Sequence, residues 1–174
     1  LDPRWFVHIR RSQSRAFAIV TVSDHDSSED HLIDLADPLA QAQLIEPRRA
    51  GVRYDTEHRG AELYFRTNAD EAEDFKIAAT DLATPGRAHW RDAVPHEAGR
   101  MIVHVRVLAR HLIWVERIDG LQRIVVRDFD TDQDHVIGVD EETYHLGLEH
   151  WLEFDTNVLR YRYSSMTTPD ETWD

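Results

Sequence analysis

The side chains that could act as a nucleophile are serines, because the 174-residue sequence contains no cysteine. A serine nucleophile of the α/β-hydrolase type lies in a Gly-x-Ser-x-Gly turn that exposes its hydroxyl. None of the seven serines has these neighbours; they are Ser12, Ser14, Ser23, Ser27, Ser28, Ser164 and Ser165. Serine is also a common residue of hairpin turns. The sequence therefore predicts no catalytic nucleophile in this chain.

Two acidic segments resemble metal-binding patterns. Asp130–Asp134, with Glu141 at the twelfth position, has the ligand spacing of a calcium loop, but the sixth position is His135 where glycine is needed. Asp24–Asp26 and Glu29–His31 together contain several oxygen and nitrogen ligands. Both segments fall in loops between predicted strands, where polar residues are expected, and paired acids carry little information among 33. We therefore expect no metal site and no cofactor.

The charge of the chain limits its partners. Its 33 acidic and 20 basic residues give a formal net charge of −13. Nucleic-acid binding needs concentrated positive charge, whereas an acidic surface concentrates cationic ligands. No apolar stretch reaches the ~20 residues needed to span a bilayer, and no secretory leader pattern is visible. We expect no nucleic-acid or membrane partner and a cytoplasmic location, with the periplasm as the alternative.

The elements that must position these side chains are predicted to be β-strands. The sequence consists of short β-branched and aromatic runs separated by polar turns, which is typical of all-β proteins. Asp37–Ala42 and Ala69–Asp74 hold at most one helical turn each. After an initial strand-like run at Trp5–Ile9, the predicted strands are Ala16–Val22, His31–Leu35, Val52–His58, Glu62–Thr67, Phe75–Ala79, Met101–Leu108, His111–Ile118, Arg123–Phe129, His135–Val139, Trp151–Asp155 and Val158–Tyr163.

A hairpin recurs along the chain at nearly constant spacing. Its second strand begins near Asp30, Asp74, Gln122 and Glu171, so the separations are 44, 48 and 49 residues. About four strands in each unit of this length is the pattern of β-propeller blades. The blades are predicted at residues 5–47, 51–95, 100–140 and 144–174, the last one incomplete. We therefore predict one domain over residues 1–174 with an all-β fold, a partial β-propeller of about three to four four-stranded antiparallel blades.

The tryptophans support the same interpretation. Trp90, Trp114, Trp151 and Trp173 fall in or beside predicted strands. Large aromatic side chains fill the space between packed sheets. We expect these residues to pack between blades rather than to form a ligand site.

Several ordered motifs give the chain a family resemblance. Thr56–Gly60 is followed by Tyr64 and Thr67–Asn68, and Arg160–Tyr161 is followed by Tyr163–Ser165 and Thr167–Pro169. From about Trp5 onward, the chain resembles the propeller of oligopeptidase B (protease II) enzymes, in the prolyl oligopeptidase family of serine peptidases. The resemblance implies a seven-bladed propeller that admits short peptides to an α/β-hydrolase domain, with cleavage after arginine or lysine.

The resemblance assigns no catalytic residue to this chain. The catalytic serine, aspartate and histidine of that family, and the acids that select a basic side chain, belong to the hydrolase domain. The sequence opens at Leu1, close to a strand, and stops at Trp173–Asp174, so we expect a catalytically inactive fragment of a longer chain. Its expected partners are its own hydrolase domain and, through the parent enzyme, short cationic peptides.

Electrostatics suggests which residues contact such peptides. We predict that Glu57 and Glu149 line the substrate channel and help to concentrate cationic peptides. An incomplete ring exposes sheet edges and faces, so we also expect a homodimer of this fragment. The alternative is a non-enzymatic propeller that binds protein partners, and a metal-dependent or glycoside-cleaving propeller is a weaker third. A Gly-x-Ser-x-Gly motif in the downstream sequence would distinguish the first two.

Overall fold

The computed structural model of the chain describes residues 5–139, 141–149 and 153–174. Within these ranges the regular structure is β-strand, with one 3₁₀ turn at Arg87–His89 and no α-helix. No helix in the described ranges is long and apolar enough to cross a bilayer. The strands are β1 (Phe6–Arg11), β2 (Phe17–Ser23), β3 (Ser28–Asp34), β4 (Gln43–Leu44), β5 (Tyr54–Arg59), β6 (Glu62–Thr67), β7 (Lys76–Asp81), β8 (Arg91–Val94), β9 (Arg100–Val107), β10 (His111–Ile118), β11 (Leu121–Asp128), β12 (Asp134–Ile137), β13 (Tyr144–Leu148), β14 (Tyr161–Ser165) and β15 (Glu171–Trp173).

These strands form four antiparallel sheets in chain order. The first three sheets have four strands each, β1–β4, β5–β8 and β9–β12, and the fourth has β13–β15. In every sheet each strand pairs with the next one along the chain, as in the blades of a propeller. The predicted all-β fold, a partial propeller of three to four blades, is confirmed.

The hydrophobic core consists of three clusters, each between two consecutive sheets. Because successive side chains of a strand point to opposite faces, one strand serves two clusters. On β6, Leu63 and Phe65 pack with Ile19 of the first sheet, whereas Tyr64 packs with Trp114 of the third. The third cluster joins the third and fourth sheets; its buried members are Leu108, Ile113, Val115, Ile124, Leu146 and Tyr163. Each middle sheet is therefore covered on both faces.

The prediction for the tryptophans is confirmed at two positions. Trp114 is only 2% exposed, between the second and third sheets. Trp90 stacks on Phe65 with ring centroids 4.3 Å apart, beside the cluster between the first and second sheets. Trp173 is 50% exposed, so the prediction was wrong there, and Trp151 lies outside the described residues.

The predicted strand Trp151–Asp155 is the clearest error in the sequence interpretation. Its first two residues lie outside the described ranges, and residues 153–155 form no strand. The Phe154 carbonyl instead accepts a hydrogen bond from the Ala109 N–H of the third sheet, 2.9 Å. The Val158 N–H donates to Thr156 Oγ1 at 3.1 Å, a local turn that delays the next strand to Tyr161.

Candidate functional site

Three sheets meet at the edge formed by their first strands, β1, β5 and β9. Arg10 Nη1 of β1 and Arg106 Nη1 of β9 each lie 3.3 Å from the same carboxylate oxygen, Oε1 of Glu57 on β5. A second guanidinium nitrogen of Arg10 also donates to the Thr56 carbonyl. We call this edge the inner edge, because the blades of a propeller converge on a central channel.

The alternation of β5 explains why Glu57 alone joins this group. Thr56 and His58 point towards the first sheet, where the Thr56 N–H donates to Asp30 Oδ2 at 3.1 Å. Glu57 points to the other face and is paired in register with Tyr64 of β6. Its position between β1 and β9 allows arginines from both neighbouring sheets to reach it.

Glu57 is buried and only partly satisfied. Its side chain is 4% exposed, against 27% for Arg10 and 17% for Arg106. The second carboxylate oxygen, Oε2, is buried and has no hydrogen-bond partner among the described residues. Burial raises the pKa of Glu57, and the positive charges of Arg10 and Arg106 oppose this effect. The arginines therefore compensate the buried carboxylate only in part.

A histidine and a second ion pair lie beside these residues. Asp55, two residues before Glu57 on β5, pairs with Arg66 Nη1 at 3.1 Å. His104, two residues before Arg106 on β9, is exposed to solvent. Desolvation by the surrounding protein, followed by the positive charge of Arg106, lowers the pKa of His104 to about 4. The imidazole is thus neutral at physiological pH.

The first strands of the sheets carry a charge opposite to that of the whole chain. β1, β5, β9 and β13 contain five arginines and two carboxylates, a formal charge of +3. The complete chain carries −13. Two of the arginines, Arg10 and Arg106, meet at Glu57. Arg59 and Arg100 are paired with Glu62 and Glu97, so the excess positive charge on these strands comes from Arg10, Arg11 and Arg106.

The structure does not bring the two predicted acids together. Glu149 follows β13, and its N–H donates to the Arg160 carbonyl at 3.1 Å. Its carboxylate lies 3.1 Å from Arg162 Nε of β14 and is 25% exposed. Glu57 and Glu149 are thus each paired with arginine, but only Glu149 has appreciable contact with solvent.

The arginines of the inner edge were not predicted from the sequence, although a signal for them was present. Val7–Arg10 reads Val-His-Ile-Arg and Val103–Arg106 reads Val-His-Val-Arg, in the first strands of the first and third sheets. A repeat of polar residues at matching strand positions indicates that the two strands have equivalent places in the fold. The same comparison would have related His8 to His104.

A serine and a histidine also form a close pair outside the inner edge. Ser14 Oγ lies 2.7 Å from His58 Nδ1, and His58 Nε2 lies 2.9 Å from the Gly60 carbonyl. Burial lowers the pKa of His58. Ser14 Oγ also lies 2.9 Å from Ser12 Oγ, within the turn that connects β1 and β2. The pair therefore links two neighbouring hairpins.

Parts of both acidic segments that resemble metal sites form turns, whereas Glu29–His31 lies in β3 and Asp134 begins β12. Asp24 Oδ1 accepts hydrogen bonds from the N–H groups of Asp26 and Ser27, at 3.0 and 2.7 Å. Asp128 caps the second turn in the same way, and Asp134 pairs with Arg127 Nε at 2.7 Å. Among the described residues, no group of three or more histidines and acids is arranged to hold a metal ion.

Comparisons with known proteins agree with this architecture. Residues 1–174 match the family described as "Prolyl oligopeptidase, N-terminal beta-propeller domain". Dipeptidyl aminopeptidase BI of Pseudoxanthomonas mexicana is 32% identical over 99% of this chain, and protease 2 of Moraxella lacunata is 31% identical over 99%. The chain spans 24% of the length of each of these relatives.

Solved structures show the same relation. Oligopeptidase B from Trypanosoma brucei superposes with a TM-score of 0.90 and 28% identity, over 98% of this chain and 26% of that one. Oligopeptidase B from Leishmania major gives a TM-score of 0.89 at 22% identity, over 98% and 25%, and supports the fold alone. A family match over all 174 residues, together with four consecutive blades, shows that the chain belongs to the N-terminal β-propeller domain family of the prolyl oligopeptidases.

Proposed function

We propose that this chain is part of the substrate-admitting propeller of an oligopeptidase B-like serine peptidase that cleaves short peptides after arginine or lysine. The observation that carries the proposal is the match to Trypanosoma brucei oligopeptidase B, with a TM-score of 0.90 at 28% identity. In this proposal the catalytic serine, aspartate and histidine lie in a hydrolase domain outside these residues, and the 174 residues alone are inactive.

The test uses the full-length product of the gene. We expect a downstream Gly-x-Ser-x-Gly motif and hydrolysis of an N-terminally blocked arginyl-arginyl amide that releases a fluorescent amine. A blocked glycyl-prolyl amide is the matched control, and faster cleavage of that control would contradict the specificity for basic residues. A full-length protein without the motif or the hydrolysis would favour the alternative, a propeller that binds protein partners.

A second candidate activity is the release of dipeptides. It is favoured by the 32% identity to dipeptidyl aminopeptidase BI over 99% of this chain. Comparing the arginyl-arginyl amide with and without its N-terminal block distinguishes the two activities. An oligopeptidase accepts the blocked substrate, whereas an enzyme that releases dipeptides requires the free amine.

The predicted role of the acids in attracting cationic peptides stays part of this proposal. Glu149 is the more accessible of the two, because Glu57 is buried behind Arg10 and Arg106. We expect Glu149→Gln in the full-length enzyme to raise KM for a blocked arginine peptide at low salt, since rim charges act mainly through encounter. Glu171→Gln is the control for loss of one charge, and an unchanged KM in Glu149→Gln would remove Glu149 from the channel.

A further inference from the structure

The two strands that flank Glu57 present the same side chains to it. Arg10 and Arg106 end the two Val-His-x-Arg patterns and share a single oxygen of Glu57. Within the described ranges, Arg106 donates only this one side-chain hydrogen bond, and both arginines keep part of their surface open. Guanidinium donors are therefore available at the inner edge for a ligand.

We propose that Arg10 and Arg106 form a binding site for a carboxylate, and that this site receives the C-terminal carboxylate of the peptide substrate. The inference deepens the proposed function and rests on it for the identity of the ligand. It assigns the inner edge an anionic ligand, in contrast to the cationic ligand that the net charge of the chain suggests.

The charge of the group fits a monoanion. Two arginines and Glu57 together carry a formal charge of +1, so a single carboxylate neutralises them. The planar guanidinium group presents paired N–H donors that match the two oxygens of a carboxylate. Partial burial strengthens this attraction relative to a fully solvated surface.

Three neighbouring groups affect this charge. Asp30 interacts with Arg10, but burial raises the pKa of its carboxyl and so disfavours its negative charge. Asp55 is already paired with Arg66 at 3.1 Å, so its carboxylate adds little net charge. His104 is neutral at physiological pH and can donate one hydrogen bond from its ring. A carboxylate bound between Arg10 and Arg106 would lie close to this imidazole, which makes His104 a reporter of occupancy.

The experiment measures binding of three blocked tripeptides to the 174-residue chain by calorimetry. The probes are acetyl-Ala-Ala-Ala with a free C-terminal carboxylate, the same peptide as its amide, and acetyl-Ala-Ala-Glu amide. We expect the free acid to bind about tenfold to a hundredfold more tightly than the amide, the range for charge-assisted hydrogen bonds. We also expect the free acid to raise the pKa of His104, followed by NMR, because a nearby negative charge favours the imidazolium.

Glu57→Gln provides the decisive variant, since it removes the carboxylate that competes with the ligand and keeps the shape of the side chain. We expect it to tighten binding of the free acid at least about threefold, and Arg106→Gln to weaken it about tenfold. Arg91→Gln, on the outer strand β8, loses the same charge and should leave affinity unchanged.

Equal affinity for the acid and the amide, or weaker binding of the acid by Glu57→Gln, would overturn the proposal. Binding of the glutamate amide as tight as that of the free acid would overturn the assignment to the C-terminus. Because these measurements need no hydrolysis, they fail independently of the proposed function. A full-length protein that cleaves no peptide would refute that function and leave carboxylate binding by this chain intact.

Discussion

Replacement of Glu57 separates two ways in which the inner edge could stabilise the fold. If Coulomb attraction between Glu57 and its arginines holds the sheets together, loss of the charge alone should be costly. The structure argues otherwise, because Oε2 has no partner and burial raises the pKa of Glu57. Ionisation of this carboxyl therefore costs folding free energy, and a glutamine, which keeps the Oε1 acceptor for both arginines, avoids that cost.

We therefore expect Glu57→Gln to change the free energy of unfolding by less than about 1 kcal/mol at pH 7, or to increase it. Glu57→Ala removes the acceptor and leaves two arginines without it. Losing one member of a buried pair costs about 3–5 kcal/mol. Since Arg10 and Arg106 are 27% and 17% exposed, water replaces part of the lost bonding, and we expect about 2–3 kcal/mol.

The assay is equilibrium unfolding in urea, followed by tryptophan fluorescence and far-UV circular dichroism, with Glu171→Ala as the control on an exposed strand. The free energies are compared at pH 7 and at pH 4. A carboxyl with a raised pKa keeps its proton to higher pH in the folded state than in the unfolded state. Glu57 therefore contributes less to the free energy of unfolding as the pH rises above the pKa of the unfolded carboxyl, and Glu57→Gln should remove this loss. A Glu57→Gln variant as unstable as Glu57→Ala would refute the reasoning.

Three further predictions follow from other parts of the fold. Trp114 is 2% exposed, so Trp114→Ala should lower the free energy of unfolding in urea by about 3–5 kcal/mol. Trp173 is 50% exposed, so Trp173→Ala should lower it by less than about 1 kcal/mol. Similar losses for the two variants would contradict the packing described above. The pKa of His104 is lowered to about 4, so the imidazole binds a proton less readily in the folded state than in the unfolded state. The stability that His104 contributes should therefore be lost as the pH falls from about 6.5 to about 4. His104→Gln should flatten the stability–pH profile in this range, and an unchanged profile would count against the lowered pKa. Ile9 is 63% exposed on the face of the first sheet that is turned away from the second sheet. We expect light scattering to show concentration-dependent dimers that Ile9→Asp abolishes and the control Thr172→Asp leaves intact. A monomer at high concentration in the unaltered chain would exclude these dimers.

The fold could be predicted further than the site, and the reason is the range of the interactions involved. Hairpins are local, so the alternating residues of Glu62–Thr67 and the apolar run of His111–Ile118 define strands whose bounds the structure reproduces. The site instead depends on pairs 47 and 49 residues apart, from Glu57 to Arg10 and to Arg106, and no local pattern encodes the packing that brings them together.

The failures have equally specific causes. Trp151–Asp155 has the composition of a strand, but the described part, residues 153–155, is not a strand, and the Phe154 carbonyl accepts a hydrogen bond from Ala109 in the third sheet. The channel prediction considered acids alone because the net charge is negative. The net charge does not locate individual charges, and the first strands of the first and third sheets carry four arginines and no carboxylate.

The division of the core into three separate clusters has a consequence for local unfolding of the protein. Every cluster joins neighbouring sheets, so the outermost sheets are held on one face and the inner two on both. Such an array behaves like a linear chain of units coupled to their neighbours. The sheets at its two ends should open more readily than the two in the middle, and the slowest amide hydrogen exchange should be found in β6 and β10, central strands of the two middle sheets.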